Sequence, residues 1–227
     1  MLKKKRAIVL LSGGLDSAVT LFIAKKSGFD CNCLTFDYGQ RHHREIHNAK
    51  EIARIANCNL EIININLPWK GSTLFSKSKK ISRYLREQEI LSSIPQTYVP
   101  ARNIIFLSFA LSYAEANNAH AIFIGTHAQD YSGYPDCRPQ FLLAFKRVMN
   151  IGTVLGRKIK LIAPVLNKNK AQIIKLGVRL KVPFEHTWSC YSAKKLPCQK
   201  CESCDFRSKG FKEAGLIDPA LFKKKDK

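Results

Sequence analysis

The sequence predicts an α/β protein: a five-stranded parallel sheet with helices on both faces, followed by a small C-terminal metal-binding segment. Three observations predict it. Short apolar runs of strand type alternate with segments of helical spacing along most of the chain. A Gly13-Gly14 turn stands between the first strand and the first helix. Four of the eight cysteines crowd into residues 190–204. With 227 residues the chain has room for one α/β domain with a real core and a small appendage, not for two ordinary domains. The expected division is 1–186 for the α/β domain and 187–227 for the metal-binding segment.

The elements follow in order. Residues 7–11 are a short apolar run and form the first strand. Residues 17–27 read as the first helix, stopped by Gly28, and 31–36 as the second strand. Residues 45–56 have helical spacing through Ile46, Ala49, Ile52, Ala53 and Ala56, and 60–65 form the third strand. Residues 68–100 are polar and irregular, with weak helical character at 81–91, and read as an insertion or mobile loop. Residues 103–117 are a strongly apolar helix and 121–124 a fourth strand, followed by a Gly/Tyr/Pro-rich loop as far as Pro139. A helix at 141–151, a fifth strand at 159–163 and a helix at 170–180 complete the alternation. Such sheets bind ligands beyond the carboxyl ends of their strands, so the loops after the first, second and fourth strands should converge on one site.

Composition narrows the class. Apolar residues make up 45% and charged residues 24%, as in ordinary globular proteins. No apolar run approaches the roughly 18 residues of a membrane span. The basic, then apolar start is too short for a signal peptide and reads as the first strand, so a cytoplasmic protein is expected. The formal net charge of +21 has two readings, a nucleic-acid surface or a Lys-rich bias over solvated faces. No RNA-binding signature accompanies it, so no stable nucleic-acid partner is expected. A positive field also suits an anionic nucleotide.

The string Ser12-Gly13-Gly14-Leu15-Asp16-Ser17 carries the first chemistry. Two glycines let the backbone turn tightly and approach a phosphate with no Cβ in the way. N–H groups at the start of the following helix point at an anion, and the helix dipole favours it. The hydroxyls of Ser12 and Ser17 add donors, and Asp16 can hold Mg²⁺ or cap the helix. An ordinary Gly-Gly turn with a capping acid is the plain alternative. No G-x-x-x-x-G-K-[ST] string is present, so γ-phosphate transfer is not implied.

Cys190, Cys198, Cys201 and Cys204 carry the second. Overlapping C-x-x-C pairs with a fourth thiol from the preceding loop suit one tetrahedral structural metal, and zinc is favoured. An iron–sulfur cluster is the alternative. Cys31, Cys33 and Cys58 fit core packing. His43 and His47 have i, i+4 spacing, but no H-E-x-x-H string is present and solvated or capping roles are the commoner ones.

The glycine string resembles the S-G-G-x-D-S signature of the pyrophosphatase-loop superfamily. Further strings sharpen the resemblance: Asp37-Tyr38-Gly39-Gln40-Arg41-His42, Val99-Pro100-Ala101-Arg102-Asn103, Asp130-Tyr131-Ser132-Gly133-Tyr134-Pro135-Asp136-Cys137-Arg138-Pro139, Thr187-Trp188-Ser189-Cys190-Tyr191, and Pro197 through Cys204. In this order, over nearly the whole chain, they resemble the 7-cyano-7-deazaguanine synthase family of queuosine biosynthesis. The resemblance implies an adenine-nucleotide α-hydrolase-like, Rossmann-type fold and a carbon–nitrogen ligase. Its substrates would be 7-carboxy-7-deazaguanine, ammonium and ATP. The carboxylate is adenylated, ammonia displaces AMP, and a second adenylation of the amide leaves the nitrile. With no N-terminal nucleophilic cysteine and no room for a glutaminase domain, free ammonium is the expected nitrogen source.

The resemblance also implies site roles. Leu11, Ser12, Gly13, Gly14, Leu15, Asp16 and Ser17 would bind ATP with Mg²⁺, joined by Asp37. Asp16, Ser17 and Arg102 would be catalytic. Asn103, Tyr131, Tyr134, Asp136 and Arg138 would bind the deazapurine, and the four clustered cysteines would hold a structural Zn²⁺. Where the family more usually has a small residue or Asn, this chain has His127, and it has Gln129 at a usually apolar position. A tRNA-modifying adenylase of the thiolase or lysidine-forming type is the alternative function, and a homodimer is the common state of related folds.

Overall fold

The computed structural model describes residues 4–40, 44–67, 97–127, 134–191 and 196–222. Five parallel strands form one sheet: β1 (Arg6–Leu10), β2 (Asp30–Asp37), β3 (Asn59–Asn64), β4 (Ala121–Phe123) and β5 (Lys160–Ile162). Their order is β3-β2-β1-β4-β5. The order reverses between β1 and β4, and a crevice opens at the carboxyl ends of the strands at that switch point. The helices are α1 (Leu15–Lys26), α2 (Arg44–Ile55), α3 (Arg102–Ala116), α4 (Pro139–Gly152), α5 (Lys170–Arg179) and α6 (Glu202–Ala214). The expected helix at 81–91 lies outside the described residues, as do residues 68–96 as a whole.

Period-two alternation sorts the strand side chains into two cores. Ala7, Val9, Cys31, Cys33, Ala121 and Phe123 face α1, α2, α5 and α6, packing on Val19, Ile52, Ile173 and Phe211. Ile8, Leu10, Leu34, Phe36 and Ile122 face the other way, onto Leu107 and Leu111 of α3 and Phe145 and Met149 of α4. β1 is buried along Ala7–Leu10 because helices cover both of its faces, which is why it reads as an unbroken apolar run. No helix among the described residues is long and apolar enough to cross a membrane.

The C-terminal segment adds to this core and carries a small buried group of its own around Trp188, Cys190, Cys201 and Cys204. Phe211 of α6 joins the first cluster and meets Phe184 edge-on. Arg207, 4% exposed, is its anchor. Its guanidinium forms a bidentate pair with Asp218 at 2.7 and 2.9 Å and donates to the Phe184 carbonyl and the Thr187 hydroxyl. α6 crosses close to α5 at Gly210, where a Cβ would stand 2.3 Å from the Lys170 side chain.

Candidate active site

The loop between β1 and α1 is shaped from three sides. Gly13 has φ +81°, and a Cβ there would lie 2.2 Å from the Glu45 carbonyl oxygen at the start of α2. Glycine is therefore required both for the turn and for the approach of α2. At Gly125, past β4, a Cβ would lie 2.9 Å from the Ser17 nitrogen, so the β4 backbone backs directly onto the start of α1. From the C-terminal segment, the Trp188 N–H donates to the Gly13 carbonyl at 2.9 Å. The N-cap position of α1 is Gly14, with no side-chain cap, which leaves the first-turn N–H groups to an anion. Ser17 donates its hydroxyl to the Gly14 carbonyl at 3.0 Å and stands 3.1 Å from the Ser12 hydroxyl.

Asp16 points into a charged trio that sequence reasoning did not assemble. Lys170 Nζ donates to both Asp16 oxygens at 2.9 and 2.8 Å, and His127 Nε2 lies 2.9 Å from the same ammonium. Burial works to raise the Asp16 carboxyl, but the Lys170 ammonium, helped by the nearby His127 ring, outweighs it and holds it below the usual carboxylate value. Lys170 is the first residue of α5, fixed there by a reciprocal capping box between Asn169 and Gln172. A cation at a helix N-terminus opposes the macrodipole, and that placement was the one hint in the sequence, which does not show the burial.

The loop opens onto a cavity of about 250 Å³ at the switch point. Leu11, Ser12, Gly14, Leu15, Asp16 and Ser17 line one side; Arg102, Asn103 and Tyr134 line the other. Arg102 opens α3 behind Ala101, which is left-handed at φ +56°, an uncommon conformation for a residue with a Cβ. Burial opposes the Arg102 charge, but the hydroxyls of Tyr38, Tyr191 and Tyr134 more than offset it and raise its pKa. Its Nη1 lies 3.5 Å from the Tyr38 hydroxyl. The Tyr134 hydroxyl is 2.6 Å from that of Thr97.

Other expected substrate residues are placed differently. Asp136 is 4% exposed and accepts from the Asn103 N–H at 2.9 Å, capping the start of α3. Asn103 Nδ2 donates to the Asp136 carbonyl at 3.1 Å. The two residues thus brace the cavity wall through each other, and Asp136 does not line the cavity. Arg138 is exposed at the N-cap of α4, away from the cavity. Asp37 also falls outside the lining, and its carboxylate accepts from Gly39 in the turn after β2. Tyr131 lies outside the described residues.

Glu45 lines the cavity and was read from sequence only as the start of a helix. Burial pushes its carboxyl up to about 7, with Arg102 pulling the other way.

The four clustered thiols meet in one place. The Sγ atoms of Cys190, Cys198, Cys201 and Cys204 all lie within 4.8 Å of one another, a set that can hold a metal. A tetrahedral site with metal–sulfur bonds of about 2.3 Å needs sulfurs roughly 3.8 Å apart; Cys198 and Cys204 are at 3.9 Å. The N–H groups of Lys200 and Cys201 donate to Cys198 Sγ, as thiolate ligands require. Contact with the neighbouring thiol of Cys190 raises Cys201 to about 11 and pushes Cys204 up as well, so a cation is what would hold these sulfurs deprotonated together.

Comparison with known proteins agrees with this architecture. The family model of the queuosine biosynthesis protein QueC matches residues 6–215. The chain belongs to the QueC family. Relatives of this QueC chain include the 7-cyano-7-deazaguanine synthase of Nostoc punctiforme, 46% identical over 222 residues, covering 96% of this chain and 99% of that protein. The synthase of Trichodesmium erythraeum is 47% identical over 221 residues, covering 95% and 100%. That of Thermoplasma volcanium is 44% identical over 223 residues, covering 97% and 92%. The span matched by the family model takes in the glycine loop, Arg102 and the thiol cluster.

Proposed function

We propose that this QueC chain is an ATP-dependent ligase that makes 7-cyano-7-deazaguanine from 7-carboxy-7-deazaguanine and ammonia. The carrying observation is that the uncapped loop at the start of α1 and the cationic, aromatic wall of Arg102 and Tyr134 face each other across one cavity. The near full-length relatives that bear the 7-cyano-7-deazaguanine synthase name support the product, and the carboxylate substrate is the reading drawn from it.

A carboxylate oxygen is a poor leaving group, and adenylation replaces it with a phosphate ester that departs readily. The N–H groups of the Ser12–Ser17 loop would hold the phosphate chain of ATP, leaving the α-phosphate open to the carboxylate. Lys170 holds both Asp16 oxygens and would keep that carboxylate ionised beside the loop. Arg102 would draw the carboxylate of the deazapurine to the α-phosphate, and Tyr134 would stack on its ring. The oxygen donors of Asp16, Ser12 and Ser17 suit Mg²⁺, which would supply charge neutralisation when bound. The all-thiol cluster suits structural Zn²⁺.

The test is to incubate the purified protein with ATP, Mg²⁺, ammonium and 7-carboxy-7-deazaguanine and to follow AMP, pyrophosphate and the nitrile together by mass spectrometry. All three are expected. Pyrophosphate release that requires tRNA, with no nitrile, would overturn the reading in favour of a tRNA-modifying adenylase.

A further inference from the structure

Two carboxylates line the cavity among the described residues, Asp16 and Glu45. Asp16 is committed to Lys170 at 2.8 Å. Glu45 is placed between the two halves of the site. Its main chain packs against Gly13 of the phosphate loop, and its side chain shares the side of the cavity that holds Arg102 and Tyr38. It therefore stands beside the point where a carboxylate held by Arg102 would meet a phosphate held by the loop. Nothing in adenylation needs a second anion there, since both reactants are already anionic. The second substrate of the ligase is different. Near neutral pH an amine-type nitrogen carries its proton, so ammonia arrives as a cation with its lone pair blocked.

We propose that Glu45 is the catalytic residue that binds ammonium and takes its proton, releasing ammonia against the acyl-adenylate; this rests on the ligase reading above. The Glu45 carboxylate accepts one proton from ammonium and becomes the neutral acid. The freed nitrogen lone pair forms the C–N bond. The bond from the acyl carbon to the AMP oxygen breaks, and its electron pair leaves on the AMP phosphate. That oxygen takes the second proton lost by nitrogen. Ammonium, carboxylate and acyl-adenylate thus become amide, carboxylic acid and AMP, with charge conserved.

The groups that face Glu45 fit the role. Arg102 from α3 and Tyr38 from the segment after β2 are its charged and titratable neighbours, and Asp37 stands beside Tyr38. Tyr191 and Tyr134 surround Arg102. Arg44, on the same helix, is turned onto the Trp188 ring at 4.2 Å. A carboxyl raised to about 7 is matched to proton transfer near neutrality, where an ordinary glutamate would be too weak a base.

The experiment compares wild type with Glu45→Gln in two assays: deazapurine-dependent exchange of pyrophosphate into ATP, which reads adenylation alone, and amide formation with ammonium or with hydroxylamine, a nucleophile that is neutral near neutral pH. Glu45→Gln should keep exchange and lose about 10²-fold or more in kcat/KM for ammonium, together with the limb of the pH profile near neutrality. Hydroxylamine should restore the rate, as hydroxamate. Glu45→Asp, which keeps an acid one methylene shorter, should retain the pH limb at reduced rate. Equal losses with ammonium and hydroxylamine would overturn the proposal, as would a raised KM for the deazapurine with the ammonium dependence unchanged. Absence of exchange in the wild type would instead overturn the ligase reading itself, and this assignment with it.

Discussion

The main-chain N–H of Trp188 donates to the carbonyl oxygen of Gly13 at 2.9 Å, tying the thiol-rich segment to the phosphate loop. The Trp188 indole donates in turn to the Cys190 carbonyl at 2.8 Å, and Trp188 and the four clustered cysteines form one buried group. What holds the sulfurs together therefore also holds the loop. Cys201→Ser is expected to lose the metal and lower the melting temperature, because a four-thiolate site contributes directly to folding. ATP-dependent turnover should fall with it. Elemental analysis beside a melting curve checks this; full metal content with unchanged melting would remove the cluster from the structural role.

Asp16→Asn is expected to lower turnover by about 10²-fold or more, since the carboxylate orders Lys170 and offers the metal-suited oxygen at the loop, and to lower the melting temperature, since it leaves the buried Lys170 ammonium without its carboxylate. Near-normal pyrophosphate release would remove Asp16 from the mechanism. The charge of the pair can be tested separately. With Lys170→Met, burial acts on Asp16 without its main cationic partner, so the Asp16 pKa should rise. The acid limb of the rate profile should then move to higher pH.

Arg207→Met should cost about 3–5 kcal/mol, because it leaves Asp218, 6% exposed, as an uncompensated buried charge. Denaturant unfolding measures the loss. Arg207→Met with Asp218→Asn should recover much of it, since removing both charges abolishes the unpaired one. No recovery would mean that the bonds from Arg207 to Phe184 and Thr187 carry the effect instead.

Much of this fold was legible in the sequence, and the exceptions have physical causes. The strands were readable because covering both sheet faces demands apolar residues without interruption in β1, and residues 7–11 supply them. The phosphate loop was readable because only glycine fits where Gly13 meets α2. α6 was not readable. Its sequence is polar and carries Gly210 in mid-helix, which signals a break unless the close crossing over Lys170 is known. Lys170 and Glu45 stand out in the sequence only as the first residues of helical segments, because the packing that gives them their chemistry comes from elements distant in sequence. Asp136 is the reverse case. A polar residue in a ligand-like string accepts from the first turn of a helix, and a string cannot tell whether a carboxylate faces a ligand or a backbone N–H.

Gly13→Ala should destabilise by about 2 kcal/mol or more, since it combines a left-handed backbone with a Cβ driven against the Glu45 carbonyl. Part of the loss should appear as weaker ATP binding, because relief requires the loop or α2 to move. A variant with native melting and native ATP affinity would show that the loop relaxes freely.

Glu45 also makes a prediction about stability that needs no substrate. Its carboxyl is raised to about 7 by burial, so the folded chain binds its proton more tightly than the unfolded chain does. Between the ordinary glutamate pKa of about 4.3 and about 7 the native state carries the extra proton, and stability from this group falls as pH rises through that window. Above it the ionised, half-buried carboxylate is a constant cost. Glu45→Gln removes the titration. Its melting temperature relative to wild type should therefore climb from about pH 5 to about pH 8 and then level off. Paired thermal melts across that range measure the difference. A difference that does not change with pH would mean that Glu45 is solvated in the free protein and titrates as an ordinary glutamate.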